Sequence, residues 1–167
     1  MIGKITDLGP SHWLVDINSP YPAPLNAKET PWMVEFGDTD RYLRVGDVLL
    51  AEVVSVDEAM RVQLSMADRQ FGRLTGGQIL EISHAKVPRL IGKQGSMIAM
   101  IRDMTRARMF VGQNGRVWVD GDPEAVRHVS HIVHLIEEKS LMTGLTDLVR
   151  EYLEAAYGRR APDARGE

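Results

Sequence analysis

The sequence predicts a chain of two small domains, an all-β barrel followed by an α+β domain. Up to residue 66, short segments rich in β-branched residues are separated by glycine, proline and aspartate, and no stretch has helical periodicity. From residue 77 onward, strand-like segments alternate with amphipathic helical ones. A chain of 167 residues has room for two such domains.

The domain boundary is predicted in the polar, glycine-containing segment 67–76. We assign residues 1–68 to the first domain and residues 69–157 to the second. Residues 158–167 are polar and are predicted to be a disordered tail.

Five short strands and no long helix are predicted in the first domain. Gly9-Pro10 separates the first two strands, which form a hairpin, and the four prolines of residues 19–31 predict a loop. Five strands leave no unpaired edge when they close into a barrel, and the OB-type barrel has this size. The strands are predicted at residues 2–8, 13–17, 32–36, 48–56 and 61–66.

The second domain has a different order: strand, helix, tight turn, helix, two strands and two further helices. Ser96 is the predicted N-cap of the second helix, because its hydroxyl can accept a hydrogen bond from a free backbone N–H group. Asp122-Pro123 predicts another helix start, with an acceptor cap and a proline at the first position. The elements are predicted at residues 77–83 (strand), 87–91 (helical turn), 96–106 (helix), 108–111 and 116–120 (hairpin), 122–139 (helix) and 146–157 (helix).

The basic residues are concentrated in one segment of an acidic chain. The segment from Lys86 to Arg108 holds six basic residues against one acid, a local net charge of +5. Because the whole chain carries −3, the remainder carries −8. A cationic segment on an acidic body is typical of a local phosphate-binding site, although a solvated helix face has the same composition.

The motif inside this segment favours the phosphate site. Residues 90–101 (LIGKQGSMIAMI) place a Gly-x-x-Gly turn between two helical segments. Gly92 and Gly95 let the backbone turn sharply and let a phosphodiester approach it. The helix that follows offers free N–H groups and the positive end of its dipole, while Lys93 adds a charge and Gln94 a donor.

This segment resembles the core of a type I KH domain, which also has the predicted order of elements. In that family the loop clamps about four nucleotides of single-stranded RNA by their backbone. The resemblance implies that the bases lie over an apolar groove, floored here by Ile91 and Ile98. The implied RNA contacts are Lys86, Arg89, Ile91, Gly92, Lys93, Gln94, Gly95, Ser96 and Ile98.

The first domain resembles an S1 domain. The resemblance rests on residues 3–5 (GKI), 13–17 (WLVDI), 45–48 (VGDV) and 61–66 (RVQLSM). Barrels of this class bind single strands by stacking bases on exposed aromatic rings beside basic groups. The residues implied for RNA contact are Lys4, His12, Trp13, Tyr21 and Arg61, although Trp13 suits a core position equally well.

A more specific resemblance comes from residues 111–119 (VGQNGRVWV), a Gly-x-Asn-Gly turn followed by an apolar-Trp-apolar strand. Together with residues 15–21 (VDINSPY), it looks like the signature of the S1/KH RNA-binding cap subunits of the archaeal exosome. In that family the Gly-x-Asn-Gly segment is structural. Asn114-Gly115 also suits a tight hairpin on local grounds.

This resemblance implies a cytoplasmic, non-catalytic protein without a cofactor. It would bind single-stranded RNA and guide 3′ ends to a ring of RNase-PH-like subunits for degradation. Family members carry a further N-terminal domain that helps to seat them on the ring, and this chain begins at the first S1 strand, so ring docking is the weaker expectation. Two alternatives remain: a structural cap whose KH groove does not contact RNA, and a transcription-factor-like S1–KH protein, although that family has two KH domains.

Other functions are disfavoured. The chain lacks a run of about eighteen apolar residues for a membrane span, a recognisable secretory signal, and any cysteine. Neither a Walker loop nor a nucleophile elbow is present. Two groups of side chains are interpreted as ordinary surface and not as metal ligands: His128, His131 and His134, and Asp16, Asp38 and Asp40.

Overall fold

The computed structural model describes residues 1–68 and 70–158, which form two compact units that divide after Gly76. The division falls eight residues beyond the boundary expected at residue 68, because residues 72–74 add a strand to the first unit. Residues 159–167 of the expected tail lie outside the described residues.

The first unit is one curled sheet of seven strands. The strands are β1 (Ile2–Leu8), β2 (His12–Asp16), β3 (Ala23–Asn26), β4 (Val48–Leu50), β5 (Glu52–Val56), β6 (Val62–Ser65) and β7 (Gly72–Leu74). Their order in the sheet is β5-β6-β3-β2-β1-β4-β7. β1 and β2 form the predicted hairpin, with Lys4 opposite Asp16 and Leu8 opposite Trp13.

The sheet curls because β4 and β5 are two halves of one interrupted strand. A single strand was expected over residues 48–56, and the structure breaks it at Ala51. β4 pairs with β1 and β7, whereas β5 pairs with β6 on the other side of the sheet. Since only Ala51 separates the two halves, the sheet bends round on itself, as in an OB-like half-barrel. This break, together with β7, explains why seven strands are found where five were expected.

The third strand lies in a different place from the one predicted. Residues 32–36 form turns and irregular backbone, and β3 lies within the proline-rich segment 19–31 that was interpreted as a loop. Burial alternates along β3 as in any half-buried strand. Pro24 is tolerated because β3 pairs fully only with β2 and meets β6 through the single pair Leu25–Leu64, which is close to the situation of an edge strand.

The core of the first unit lies inside the curl. Trp13 is fully buried there, and its indole N–H donates to the carbonyl of Leu43 at 3.2 Å. Trp32 meets Trp13 edge-on at 6.5 Å and stacks on Tyr42 at 5.2 Å. The connection between β3 and β4 therefore packs onto the barrel core.

The second unit has the element order expected of a type I KH domain. The elements are β8 (Gln78–Glu81), α1 (Val87–Ile91), α2 (Ser96–Thr105), β9 (Arg108–Val111), β10 (Arg116–Asp120), α3 (Pro123–Lys139) and α4 (Leu145–Tyr157). The antiparallel sheet has the order β8-β10-β9, with β9 at an edge. The α3 start is as predicted, since the Asp122 carboxylate accepts from the Ala125 N–H at 2.8 Å.

The helices of the second unit share one apolar core with the inner face of the sheet. The fully buried side chains include Leu90, Ile101, Val117, Val129, Ile132, Ile136, Val149 and Leu153. α4 contributes the last two from positions four residues apart, which places both on one helix face. None of the helices in the described part of the chain is long and apolar enough to cross a membrane.

Candidate nucleic-acid interface

The turn between α1 and α2 requires glycine at its first position. α1 ends at Ile91, and the Gly92 N–H donates to the carbonyl of Pro88 at 2.9 Å. Gly92 has φ +76°, and a Cβ at this position would lie 2.6 Å from the Cβ and the backbone nitrogen of Met97. Only a residue without a side chain fits in this space.

The second glycine of the turn leaves the start of α2 open. Gly95 has φ +77° and is the N-cap of α2 without a side-chain cap bond. Ser96, predicted as the N-cap, is instead the first residue of the helix. A Cβ built on Gly95 would meet no atom within 4 Å. The Ser96 N–H already donates to the carbonyl of Lys93, but a phosphate can still approach the positive end of the dipole of this ten-residue helix through the open space beside Gly95.

Lys93 and Gln94 form the exposed tip of the turn. Gln94 has φ +56°, an uncommon conformation for a residue other than glycine. Within the described residues, neither side chain has a hydrogen-bond or ion-pair partner. The turn thus presents one cation and one amide to solvent.

Lys86 and Arg89 have structural contacts of their own. The Lys86 ammonium donates to the carbonyl of Glu137 at 2.5 Å and lies 3.7 Å from its carboxylate. The Arg89 guanidinium donates to the carbonyl of Met142 at 2.9 Å. Both side chains fasten the α1 region to α3 and to the turn after it, and their contact with RNA stays a prediction.

The Glu137 carboxylate is the centre of this attachment. It accepts a hydrogen bond from the Ser83 hydroxyl at 2.5 Å and another from the Ser83 N–H at 3.0 Å. These two bonds, aided by Lys86, hold the pKa of Glu137 below its ordinary value. The segment that leads into α1 is therefore fixed to α3 by a charge-assisted contact.

Of the two predicted groove residues, Ile91 is the more accessible. Ile91 is partly buried beside the core of the second unit. Ile98 is 8% exposed and belongs to that core, so it offers only an edge to a bound base.

The structure corrects one of the predicted S1 contacts. Trp13 has no exposed surface, because alternation along β2 turns it into the barrel. A buried ring cannot stack on a base, so Trp13 is a core residue. The aromatic rings that are exposed lie elsewhere: Tyr21 is 75% exposed and Phe36 is 82% exposed.

The other predicted S1 residues do not converge on one place. His12 lies opposite Asn26 at one end of the β2–β3 hairpin, whereas Tyr21 precedes β3 at the other end. Arg61 pairs with Asp57 at 2.6 Å in the β5–β6 turn, where the Arg61 backbone N–H, first among several contacts, lowers the pKa of Asp57. Lys4 is exposed on β1.

His12 lines a hollow on the surface of the first unit. The hollow has a volume of about 260 Å³, and its polar lining also includes Asn26, Lys28, Glu29 and Gln63. These four polar residues were not predicted, because only the pairing of β2, β3 and β6 brings them beside His12. The imidazole, the two amides and the ammonium can contact a single strand, whereas the Glu29 carboxylate repels its phosphates.

The histidines of α3 have aromatic and acidic neighbours. His128 is hydrogen-bonded to the Tyr152 hydroxyl at 2.7 Å, and the His131 ring stacks on Tyr152 at 4.6 Å. His134 lies 3.0 Å from the Glu138 carboxylate. Across residues 1–68 and 70–158, no group of three or more histidine or acidic side chains is placed to hold a metal ion.

Comparison with known families supports the description of the second unit. The KH domain model matches residues 77–135, from just before β8 into α3. The matched range contains the whole Gly92–Gly95 turn and both strands of the β9–β10 hairpin.

Curated relatives match nearly the whole chain. Exosome complex component Rrp4 of Thermoplasma acidophilum is 39% identical over 160 residues, which cover 96% of this chain and 68% of the relative. The Picrophilus torridus protein of the same name is 42% identical, with 95% and 69% covered. For the Methanobrevibacter smithii protein the identity is 44%, with 97% and 54% covered. The chain thus spans between about half and two thirds of the length of these relatives.

A solved structure agrees with both units. The crystal structure of an exosome complex RNA-binding protein superposes with a TM-score of 0.82 at 34% identity, covering 92% of this chain and 90% of that one. With the KH match and the curated relatives, this shows that the chain belongs to the family of the exosome complex component Rrp4.

Proposed function

We propose that this chain is a non-catalytic RNA-binding subunit of the exosome, which binds single-stranded RNA at the Gly92–Gly95 turn and on the barrel unit. The proposal follows from the family and from the geometry of the turn. RNA bound there would be held at high local concentration beside a ring of RNase-PH-like subunits, which would degrade it from its 3′ end. The curated relatives are archaeal, and archaeal cells have no nucleus, so the proposed location is the cytoplasm.

The observation that carries the proposal is the open start of α2. Gly95 leaves open space at the N-terminus of α2, and Lys93 stands beside it without a partner among the described residues. The helix dipole and the lysine charge both favour an anion at this point. A phosphodiester has the charge and the size for such a site, and backbone contacts of this kind do not depend on base sequence.

The test uses the two exposed residues at the tip of the turn. The double variant Lys93→Asp with Gln94→Asp replaces solvent-exposed side chains and leaves both glycines in place. Aspartate also tolerates the positive φ of position 94. Binding of a fluorescent poly(A) oligonucleotide is measured over a salt series. We expect at least about a tenfold loss of affinity and a shallower salt dependence, because fewer counterions are released on binding.

A matched control applies the same change in net charge elsewhere. Arg150→Asp with Thr146→Asp alters exposed residues of α4 and is expected to keep wild-type affinity. Unchanged affinity of the turn variant would move RNA binding to the barrel unit. Failure of the wild type to bind would favour the structural-cap alternative, in which the turn serves only to join two helices.

A further inference from the structure

The fold separates the basic segment of the sequence into two groups. Lys86, Arg89 and Lys93 lie on and before the turn, whereas the other three basic residues lie at the far end of α2 and on β9. The ten residues of α2 span about 15 Å at 1.5 Å per residue. The second group is therefore too far from the Gly92–Gly95 turn to share its phosphate.

The second group lines a cleft of about 510 Å³. The cleft is bounded by the end of α2 and by the edge strand β9. Its charged lining residues are three arginines and one carboxylate, and the Asp120 carboxylate pairs with Arg108, so a net charge of +1 remains. The residues that matter here are Arg102, Asp103, Arg106, Arg108, Phe110 and Trp118.

The arginines are held in place by neighbouring groups. The Arg102 guanidinium donates to the carbonyl of Met109, which keeps it at the boundary between α2 and β9. Arg108 pairs with Asp120 and lies 5.6 Å over the Trp118 ring. Ordered guanidinium groups lose less entropy on binding a phosphate than mobile ones.

The cleft also has an aromatic surface. Phe110 stacks on Trp118 with ring centroids 5.6 Å apart and planes at 24°. Trp118 is buried, whereas Phe110 remains 42% exposed. An aromatic ring that is fixed from behind and exposed in front is a stacking surface for a nucleobase.

Arg106 occupies a strained position at the end of α2. It has φ +60° and donates its backbone N–H to the carbonyl of Arg102 at 2.8 Å. Glycine is the residue that usually ends a helix in this conformation. An arginine at this point balances the helix dipole, but glycine would end the helix with less strain. The helix dipole also does not account for Arg108 and Phe110, which lie on the neighbouring strand.

We infer that this cleft is a second contact surface for single-stranded RNA, which takes a phosphate on Arg102, Arg106 and Arg108 and a nucleobase on Phe110. The inference rests on the proposed RNA binding and extends it along α2. An RNA held at the turn would continue to the cleft if it is longer than the roughly four nucleotides that a KH loop clamps. The mixture of arginines with an exposed ring favours RNA over an acidic protein surface, which needs no stacking platform.

The test combines two probe lengths with two variants of the full chain. The poly(A) probes have about four nucleotides and about twelve nucleotides, within the range occupied by single-strand sites. Arg106→Gly removes the charge and suits the left-handed backbone, so its melting temperature should equal or exceed that of the wild type. Phe110→Leu keeps an apolar side chain over Trp118 but removes the aromatic face. Arg150→Ala is the control for loss of one exposed arginine.

We expect each cleft variant to bind the long probe about fivefold more weakly and the short probe as the wild type does. Arg106→Gly should also lower the salt slope for the long probe by about 0.7, the value for one phosphate contact on a single strand. If Phe110→Leu has a lower melting temperature than the wild type, its weaker binding can come from lost stability. The test of the cleft then rests on Arg106→Gly.

If Arg106→Gly binds the long probe with wild-type affinity, the inference is wrong. The same result is expected if the cleft binds a protein and not RNA. In that case Lys93→Asp with Gln94→Asp would still weaken both probes, and the proposed function would stand. If the turn variant binds the short probe as the wild type does, the proposed site at the turn is wrong, whatever the cleft variants do.

Discussion

Gly92 and Gly95 share a positive φ but differ in ψ, which is 173° at Gly92 and 13° at Gly95, and in their surroundings. Both have φ near +76°, so both favour glycine over any residue with a side chain. Behind Gly92 lies Met97, whose backbone nitrogen and Cβ leave no room for another carbon. Beside Gly95 the space is open. The first glycine therefore serves packing as well as backbone geometry, and the second keeps the approach to α2 clear.

Alanine at these two positions compares the crowded first glycine with the open second one. We expect Gly92→Ala to lower the free energy of unfolding by about 3 kcal/mol, because a clash with Met97 adds to the cost of a φ/ψ region that is open essentially to glycine alone. Gly95→Ala, the matched control, should cost about 1 kcal/mol, from the conformation alone. Urea unfolding measures both. Equal losses would mean that neither Met97 nor the φ/ψ region of Gly92 adds to the cost of the alanine side chain.

At the level of elements, α3 is the support on which the candidate site is built. Its buried face forms much of the core of the second unit. Near its C-terminal end, Glu137 binds Ser83 and Lys86, which precede α1. The position of the Gly92–Gly95 turn thus depends on a carboxylate that follows Gly95 by 42 residues in the sequence.

The attachment at Glu137 should make stability depend on pH. The pKa of Glu137 is lowered in the folded chain, so its contribution is fully present above the unfolded value of about 4.3 and is lost as pH falls through the lower folded value. We expect Glu137→Gln to melt below the wild type at about pH 7, with the gap closing toward about pH 3. Thermal unfolding followed by circular dichroism measures the gap.

The control for this variant is Glu151→Gln, which alters an exposed carboxylate on α4. It should melt close to the wild type at both pH values. A gap for Glu137→Gln that is equally wide at both pH values would show that the contact does not depend on the carboxylate charge.

At the scale of the whole molecule, each of the two units has an apolar core of its own. One core is centred on residues such as Trp13 and Leu49, and the other on residues such as Ile101 and Ile132. We propose a boundary after Gly76, because β7 pairs with β4 along three registered residue pairs and Arg73 reaches Asp47 at 3.5 Å. Without β7, the outer edge of β4 has no strand partner in the first unit.

Truncation tests the boundary. A fragment of residues 1–76 should melt at least about 5 °C above a fragment of residues 1–68, since the shorter one loses the β4–β7 pairing. Adding residues 69–76 to the second unit should not raise its melting temperature. Equal melting of the two first-unit fragments would restore the boundary at residue 68.

The sequence by itself determined the order of elements in the second unit and the position of the Gly-x-x-Gly turn. Both depend on local features: helical periodicity, the cap at Asp122, and glycines where the backbone must be left-handed. The barrel class was also predictable, because short β-rich segments without helices have few ways to pair all their edges.

Only the tertiary structure decided how distant segments meet. It buried Trp13 and placed β3 in the proline-rich segment. It also interrupted the predicted strand at Ala51, so that β4 pairs with β1 whereas β5 pairs with β6. It also divided one basic segment into a turn and a cleft at opposite ends of α2. The physical reason is the same in each case: burial and strand pairing depend on which parts of the chain become neighbours, and periodicity along the chain carries no information about that choice.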